Sequence, residues 1–190
     1  EVNLVDGKRI NDYENLTVRG QILFTLSDDL RLRVIGDYSK QDTHCCSANL
    51  SGLWTPPSGA NFTALSAQFG QTPRVGRVQV DAPVKANQTT GGVSAEATWN
   101  LPGAVLTSIT AWRYWEWRPA SDLLQTALDD VRQSAVDDDQ EQFSQEFRIA
   151  STGENTFDYV AGVYLYHELL ESANSAPPPR RPWSTAPSRP

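Results

Sequence analysis

The chain has 190 residues, a formal net charge of −7 and 39% hydrophobic residues, among them 6 Trp, 6 Tyr and 6 Phe. Its length is one domain's worth on a soft prior, and its acidic balance excludes the basic face that nucleic-acid binding requires. No run of ~18 or more apolar residues exists, which excludes a spanning helix but not a β-barrel, whose strands leave only a weak alternating signal.

The chain contains no Met, and Glu1-Val2-Asn3-Leu4 is not a basic segment followed by an apolar one. The sequence therefore reads as an internal or processed portion of something longer, with no signal peptide in view.

The first informative stretch alternates with period 2. Leu16, Val18, Gly20, Ile22, Phe24 and Leu26 fall on one face, and Thr17, Arg19, Gln21 and Thr25 on the other, with Leu23 the exception. Ser27-Asp28-Asp29 is a polar turn of the residue types that favour one. The return places Leu30, Leu32, Val34, Gly36 and Tyr38 together, with Arg31, Arg33, Asp37 and Ser39 opposite. This predicts a long hairpin, each arm of about the ~9–11 residues that cross a bilayer as a tilted strand.

Cys45-Cys46 follow in a loop position. Two cysteines make no disulfide framework. With His44 they invite a metal reading, but a structural zinc site takes four ligands, usually in spaced pairs. Free thiols or a vicinal disulfide is the preferred reading.

A second hairpin is predicted from about Thr90. Val93, Ala95, Ala97, Trp99 and Leu101 alternate with Ser94, Glu96, Thr98 and Asn100, and Pro102-Gly103 is the turn. The return arm, Ala104 to Trp117, carries aromatics on both sides, so its faces stay ambiguous. Trp112, Tyr114, Trp115 and Trp117 gather at the end far from the turn, as candidate membrane-interface aromatics, because such rings are apolar with one polar atom that seeks water.

The third hairpin runs from Phe143 to Ala150, turns through Thr152–Thr156 and returns from Asp158 to Glu168. The connections alternate. Those within hairpins are a few residues, while those between them, about Gln41 to Thr89 and Pro119 to Gln142, are long. Loops beyond ~12–15 residues are uncommon in compact soluble domains, whereas outer-membrane barrels pair short periplasmic turns with long extracellular loops. On that pattern the Ser27, Pro102 and Gly153 turns face the periplasm, and the Cys45-Cys46 and Asp137-Asp138-Asp139 loops face outside. Residues 176–190 are Pro-rich, cannot supply a central strand, and read as a disordered tail behind a barrel segment over 1–175.

At these residues the chain resembles a family. Thr17-Val18-Arg19-Gly20-Gln21 through Ser27-Asp28-Asp29-Leu30 to Ile35-Gly36-Asp37-Tyr38-Ser39 is similar to a barrel hairpin of proteobacterial TonB-dependent receptors. So are Phe143-Ser144-Gln145-Glu146-Phe147-Arg148-Ile149-Ala150-Ser151 and Tyr159-Val160-Ala161-Gly162-Val163-Tyr164-Leu165-Tyr166-His167-Glu168. The likeness covers most of residues 11–172. It implies a 22-stranded parent barrel with an N-terminal plug domain in the bacterial cell outer membrane. It also implies uptake of iron-siderophore complexes, cobalamin or carbohydrates, driven through TonB. Its partners would be outer-membrane lipid, the plug, TonB and a siderophore-like ligand. The chain departs from that pattern in lacking a TonB box, a plug and an aromatic-ended final strand, so no family residue is carried over.

The expected fold is therefore all-β, an antiparallel meander of about six strands forming part of a transmembrane barrel. Arg19, Arg31, Arg33, Glu96, Glu146 and Arg148 are the candidate lumen-facing residues, and Glu146 with Arg148 suggests same-face charge pairing in the wall. No nucleophile, base and orienting group assemble around His44 or His167, so no enzyme, cofactor or metal is expected. His167 reads as an interfacial or lumen residue. The acids Asp129, Asp130, Asp137, Asp138, Asp139 and Glu141 match no EF-hand spacing and read as a solvated external loop. The competing readings are a soluble secreted β-sandwich acting as a binding or adhesion module, and another outer-membrane barrel such as a porin or autotransporter.

Overall fold

The computed structural model describes residues 1–47, 76–122, 134–154 and 156–174. The proposed Pro-rich tail, Asp129 and Asp130 lie outside them. Among the described residues every regular element is a strand. Six form one antiparallel meander: β2 (Asp12–Thr25), β3 (Leu30–His44), β5 (Lys85–Leu101), β6 (Ala104–Ser121), β7 (Ser134–Ser151) and β8 (Val160–Asn174). Each strand pairs with its sequence neighbour in that series, so the three predicted hairpins are joined edge to edge. Two short strands, β1 (Val2–Asn3) and β4 (Arg77–Val78), pair in parallel outside the sheet.

The tight turns lie at one end and hold one another. The Ser27 hydroxyl accepts the Asp29 and Leu30 amides at 3.3 and 3.1 Å. Pro102 fixes its own φ and Gly103 takes φ 80°, a left-handed value that favours glycine. Asn100 donates its amide to the Asp29 carbonyl at 2.8 Å, and Thr152 to the Gly103 carbonyl at 3.0 Å, tying adjacent turns together.

The strands run further than alternation alone predicts. β7 begins at Ser134, so Asp137-Asp138-Asp139 is paired strand and not an external loop. Arg118 explains why three acids can sit there. Its guanidinium lies 3.7 Å from Asp137, donates to the Asp139 carboxylate and donates to the Asp138 carbonyl at 2.7 Å. β6 likewise runs through Pro119, where the predicted loop began. Proline lacks the ladder donor, and the β6–β7 pairing skips Arg118 and Pro119 before resuming in register at Ala120 with Ala135. β8 starts at Val160, because Asp158 and Tyr159 still belong to the turn, where Ser151 binds both.

Residue pairing fixes two faces across the whole sheet. One face carries, row by row, Leu30–Trp99–Leu106–Ile149–Ala161, then Phe24–Leu32–Ala97–Ser108–Phe147–Val163, then Ile22–Val34–Ala95–Thr110–Gln145–Leu165. The next rows are Gly20–Gly36–Val93–Trp112–Phe143–His167 and Val18–Tyr38–Gly91–Tyr114–Glu141–Leu169. Nothing among the described residues covers this apolar band. Val18 is 57% exposed, Ile22 59% and Phe24 44%. At a rise of ~3.4 Å per residue, Leu30 to Tyr38 covers ~27 Å of strand, or ~20 Å of height at a ~40° tilt, near the ~25 Å apolar band of outer-membrane barrels. The neutral polar groups inside the band satisfy one another: Thr110 donates to Gln145, which donates to the Ser108 hydroxyl at 3.1 Å.

Among the described residues the buried apolar cluster is Ile10, Val78, Val80 and Val84, outside the six long strands. It joins residues 1–11 to 76–84 at the end opposite the tight turns. Asn3 is its polar clasp: its side-chain amide donates to the Val80 carbonyl at 2.9 Å and accepts the Val80 amide at 3.2 Å. Asn3 is 7% exposed, so truncation strands both backbone groups of Val80 and also frees the Val5 amide. Asn3→Ala is expected to cost this unit about 1–3 kcal/mol. Amide hydrogen exchange at Leu4 and Val80 should accelerate while the β5–β6 amides stay protected; equal acceleration in both would show that the unit and the sheet open together.

Candidate functional site

The second face is the polar one, and it gathers all six residues expected to share it. Arg31, Arg33, Glu96, Glu146 and Arg148 occupy two neighbouring rows on that side, and Arg19 a third, one row removed. Arg33 donates to Glu96 across the β3–β5 pairing at 2.6 Å. Arg148 lies 3.7 Å from Glu146, two residues away on the same face, as the strand period requires. Arg19 pairs in register with Asp37.

The aromatic group does not stay together. Trp112 and Tyr114 stand on the apolar face with ring centroids 5.5 Å apart, in the two rows of the apolar band furthest from the tight turns. Trp115 and Trp117 stand on the polar face, stacked at 5.9 Å and 18°. The four are neighbours in sequence but line opposite sides of the sheet, because successive side chains on a strand alternate. The four candidate interface aromatics thus form two pairs, one on each face. His167, expected at the interface or in the lumen, lies on the apolar face in register with Phe143, apart from the polar-face residues.

The polar face has a centre that the sequence pattern does not single out. Arg113 on β6 reaches over β5 to Asp37 on β3, donating from Nη1 at 3.0 Å and Nη2 at 2.8 Å in a bidentate pair. The residue beneath the bridge is Gly92, in the same row as both partners. A Cβ there would stand 2.5 Å from the Trp112 carbonyl and 2.9 Å from Arg113 Cγ. Glycine is thus what lets the guanidinium cross a strand. The signal for this was Asp37 and Gly92 in alternating strands, but Arg113 sat in the arm whose faces were ambiguous.

Beside Arg113 lies a cavity of about 200 Å³ lined by Thr90, Arg113, Tyr114, Trp115, Gln140 and Gln142. Its outer edge is braced by a polar relay: Gln140 donates to one oxygen of Glu168, and the Tyr166 hydroxyl donates to the other. Tyr166 stacks on Tyr164 at 6.4 Å.

Cys45 and Cys46 form a vicinal disulfide, the second of the two states the sequence allowed. The turn that carries it is fastened to Asn11, whose amide donates to the His44 carbonyl at 2.6 Å and whose side chain bonds both backbone groups of Ser47. Among the described residues no group of three or more His, Cys, Asp or Glu is arranged to hold a metal ion.

These features define an all-β, six-stranded antiparallel meander with one apolar and one polar face. No protein-family model matches the chain, and no curated protein or solved structure matches it.

Proposed function

We propose that this chain is part of the wall of an outer-membrane β-barrel of the TonB-dependent receptor type. In that setting it contributes to energy-coupled uptake of siderophore-bound iron or a similar scarce nutrient. The observation that carries the reading is the uncovered apolar face of a single-layered sheet. A soluble sandwich covers such a face with a second sheet, whereas a barrel turns it to lipid and keeps charge on the other side. Strands of 14 to 18 residues are long enough to cross at a tilt and project beyond the bilayer. Both outer strands, β2 and β8, present edges that further strands would pair with, since an outer-membrane barrel needs at least ~8. Alone, the chain transports nothing on this reading.

The test uses lipids brominated in their acyl chains, which quench indoles that face them. In vesicles, a variant retaining only Trp112 should be strongly quenched, and one retaining only Trp115 should not. Equal quenching of the two, or a stable soluble monomer without detergent, would defeat the proposal.

A further inference from the structure

The cavity beside Arg113 has a chemistry of its own. One wall is the Trp115 indole, and another is a guanidinium whose plane is set by two hydrogen bonds to Asp37. Two of the five N–H donors of Arg113 are thereby engaged, leaving three in a fixed plane. Asp37, which Arg19 also faces, opposes its charge, so Arg113 serves the slot chiefly as a fixed set of donors. The Gln142 side chain, half-buried on the rim, makes no hydrogen bond within the described residues, and Gln140 keeps donor and acceptor capacity beyond its bond to Glu168. Thr90 donates to the Tyr114 carbonyl at 3.2 Å and retains its acceptor lone pairs. At about 200 Å³ the space is smaller than a drug-sized pocket of ~300–1,000 Å³ and suits a single ring.

We propose that this slot binds one ring of a neutral saccharide. The apolar C–H face of a sugar ring packs on an indole, and its hydroxyls, each both donor and acceptor, match amides and a guanidinium held in plane. Of the ligands in the proposed function, an anionic ferric complex fits this slot less well than a neutral one, because Arg113 is paired with Asp37 and Glu168 and Asp138 stand on the same face. The inference rests on the proposed barrel, in which this face is the wet interior, and it names the class of ligand that the barrel takes.

Isothermal titration calorimetry in detergent micelles would test it, on chain whose circular dichroism shows the sheet. The ligands are maltohexaose, cellohexaose, xylohexaose and chitohexaose, with ferric citrate as the anionic comparison. At least one oligosaccharide should bind saturably. Trp115→Ala should weaken it about tenfold, the scale of one lost ring contact, and Gln142→Ala several-fold. Trp115→Phe should recover part of the loss, and Trp112→Ala, on the opposite face, should change nothing. Binding of ferric citrate alone, saccharide binding indifferent to Trp115, or no saccharide binding would each overturn the assignment. If Trp112 is still quenched by brominated lipid and Trp115 is not, the barrel reading survives that failure.

Discussion

Val34→Arg is expected to lower the partition of the chain into phospholipid vesicles by about thirty-fold to several hundred-fold. Val34 occupies the middle row of the apolar band, with Ile22 and Ala95 in register on either side. An arginine on the lipid face at mid-depth costs about 2–4 kcal/mol, and each 1.4 kcal/mol is a factor of ten. The adjacent change, Ile35→Arg, is the control. Ile35 points to the other face, between Gln21 and Ser94 and near Asp37. There an added charge stays in water, and the change should fall within about 0.5 kcal/mol. Sedimentation of vesicles with bound chain measures both. Similar losses for the two variants would mean that the faces do not meet different media, and the barrel assignment could not stand.

Where the sequence shows this architecture, it does so through strict alternation. Ile22, Phe24, Leu32 and Val34 share a face in sequence and in the structure, because a strand with one oily side has a two-residue period and no freedom to slip. The return arm of the second hairpin shows where that signal fails. Trp112, Tyr114, Trp115 and Trp117 occupy both phases, and only pairing decides them: Val93 takes Trp112 and Thr90 takes Trp115. Alternation also ends with the apolar band, not with the strand. Asp137, Asp138 and Asp139 have the composition of a loop, yet they continue β7, because Arg118 on the neighbouring strand compensates them. The β1–β4 contact was not legible at all. Two residues on each side, paired in parallel between Val2 and Arg77, leave no periodicity to read.

Of the candidate site, the charged inventory was visible and its centre was not. Arg19, Arg31, Arg33, Glu96, Glu146 and Arg148 follow from the period-2 pattern alone. The Arg113–Asp37 bridge joins strands that are not neighbours, a relation that no local spacing encodes. It depends on the absence of a side chain at Gly92, and an absence has no hydrophobic or polar signature.

That dependence gives the second large effect. Gly92→Ala should destabilise the sheet by about 1–3 kcal/mol, the usual range for forcing atoms into a filled site. The clash is with backbone, 2.5 Å from the Trp112 carbonyl, so no side-chain rotation relieves it. The new methyl also displaces Arg113, and with it the pair to Asp37. That part is small, since the Arg113 side chain is 46% exposed and such pairs are worth about 0–1 kcal/mol. Asp37→Asn therefore isolates the charge pair, with a loss well under that of Gly92→Ala that shrinks further as salt is added. Gly20→Ala supplies the opposite sign. A Cβ at Gly20 meets nothing within 4 Å, so alanine there should stabilise by about 0.5–1 kcal/mol through reduced chain entropy. Denaturant unfolding in detergent, followed by circular dichroism, ranks the three. If Gly92→Ala proves as harmless as Gly20→Ala, the guanidinium does not cross the strand where the structure puts it, and the slot beside it loses one of its walls.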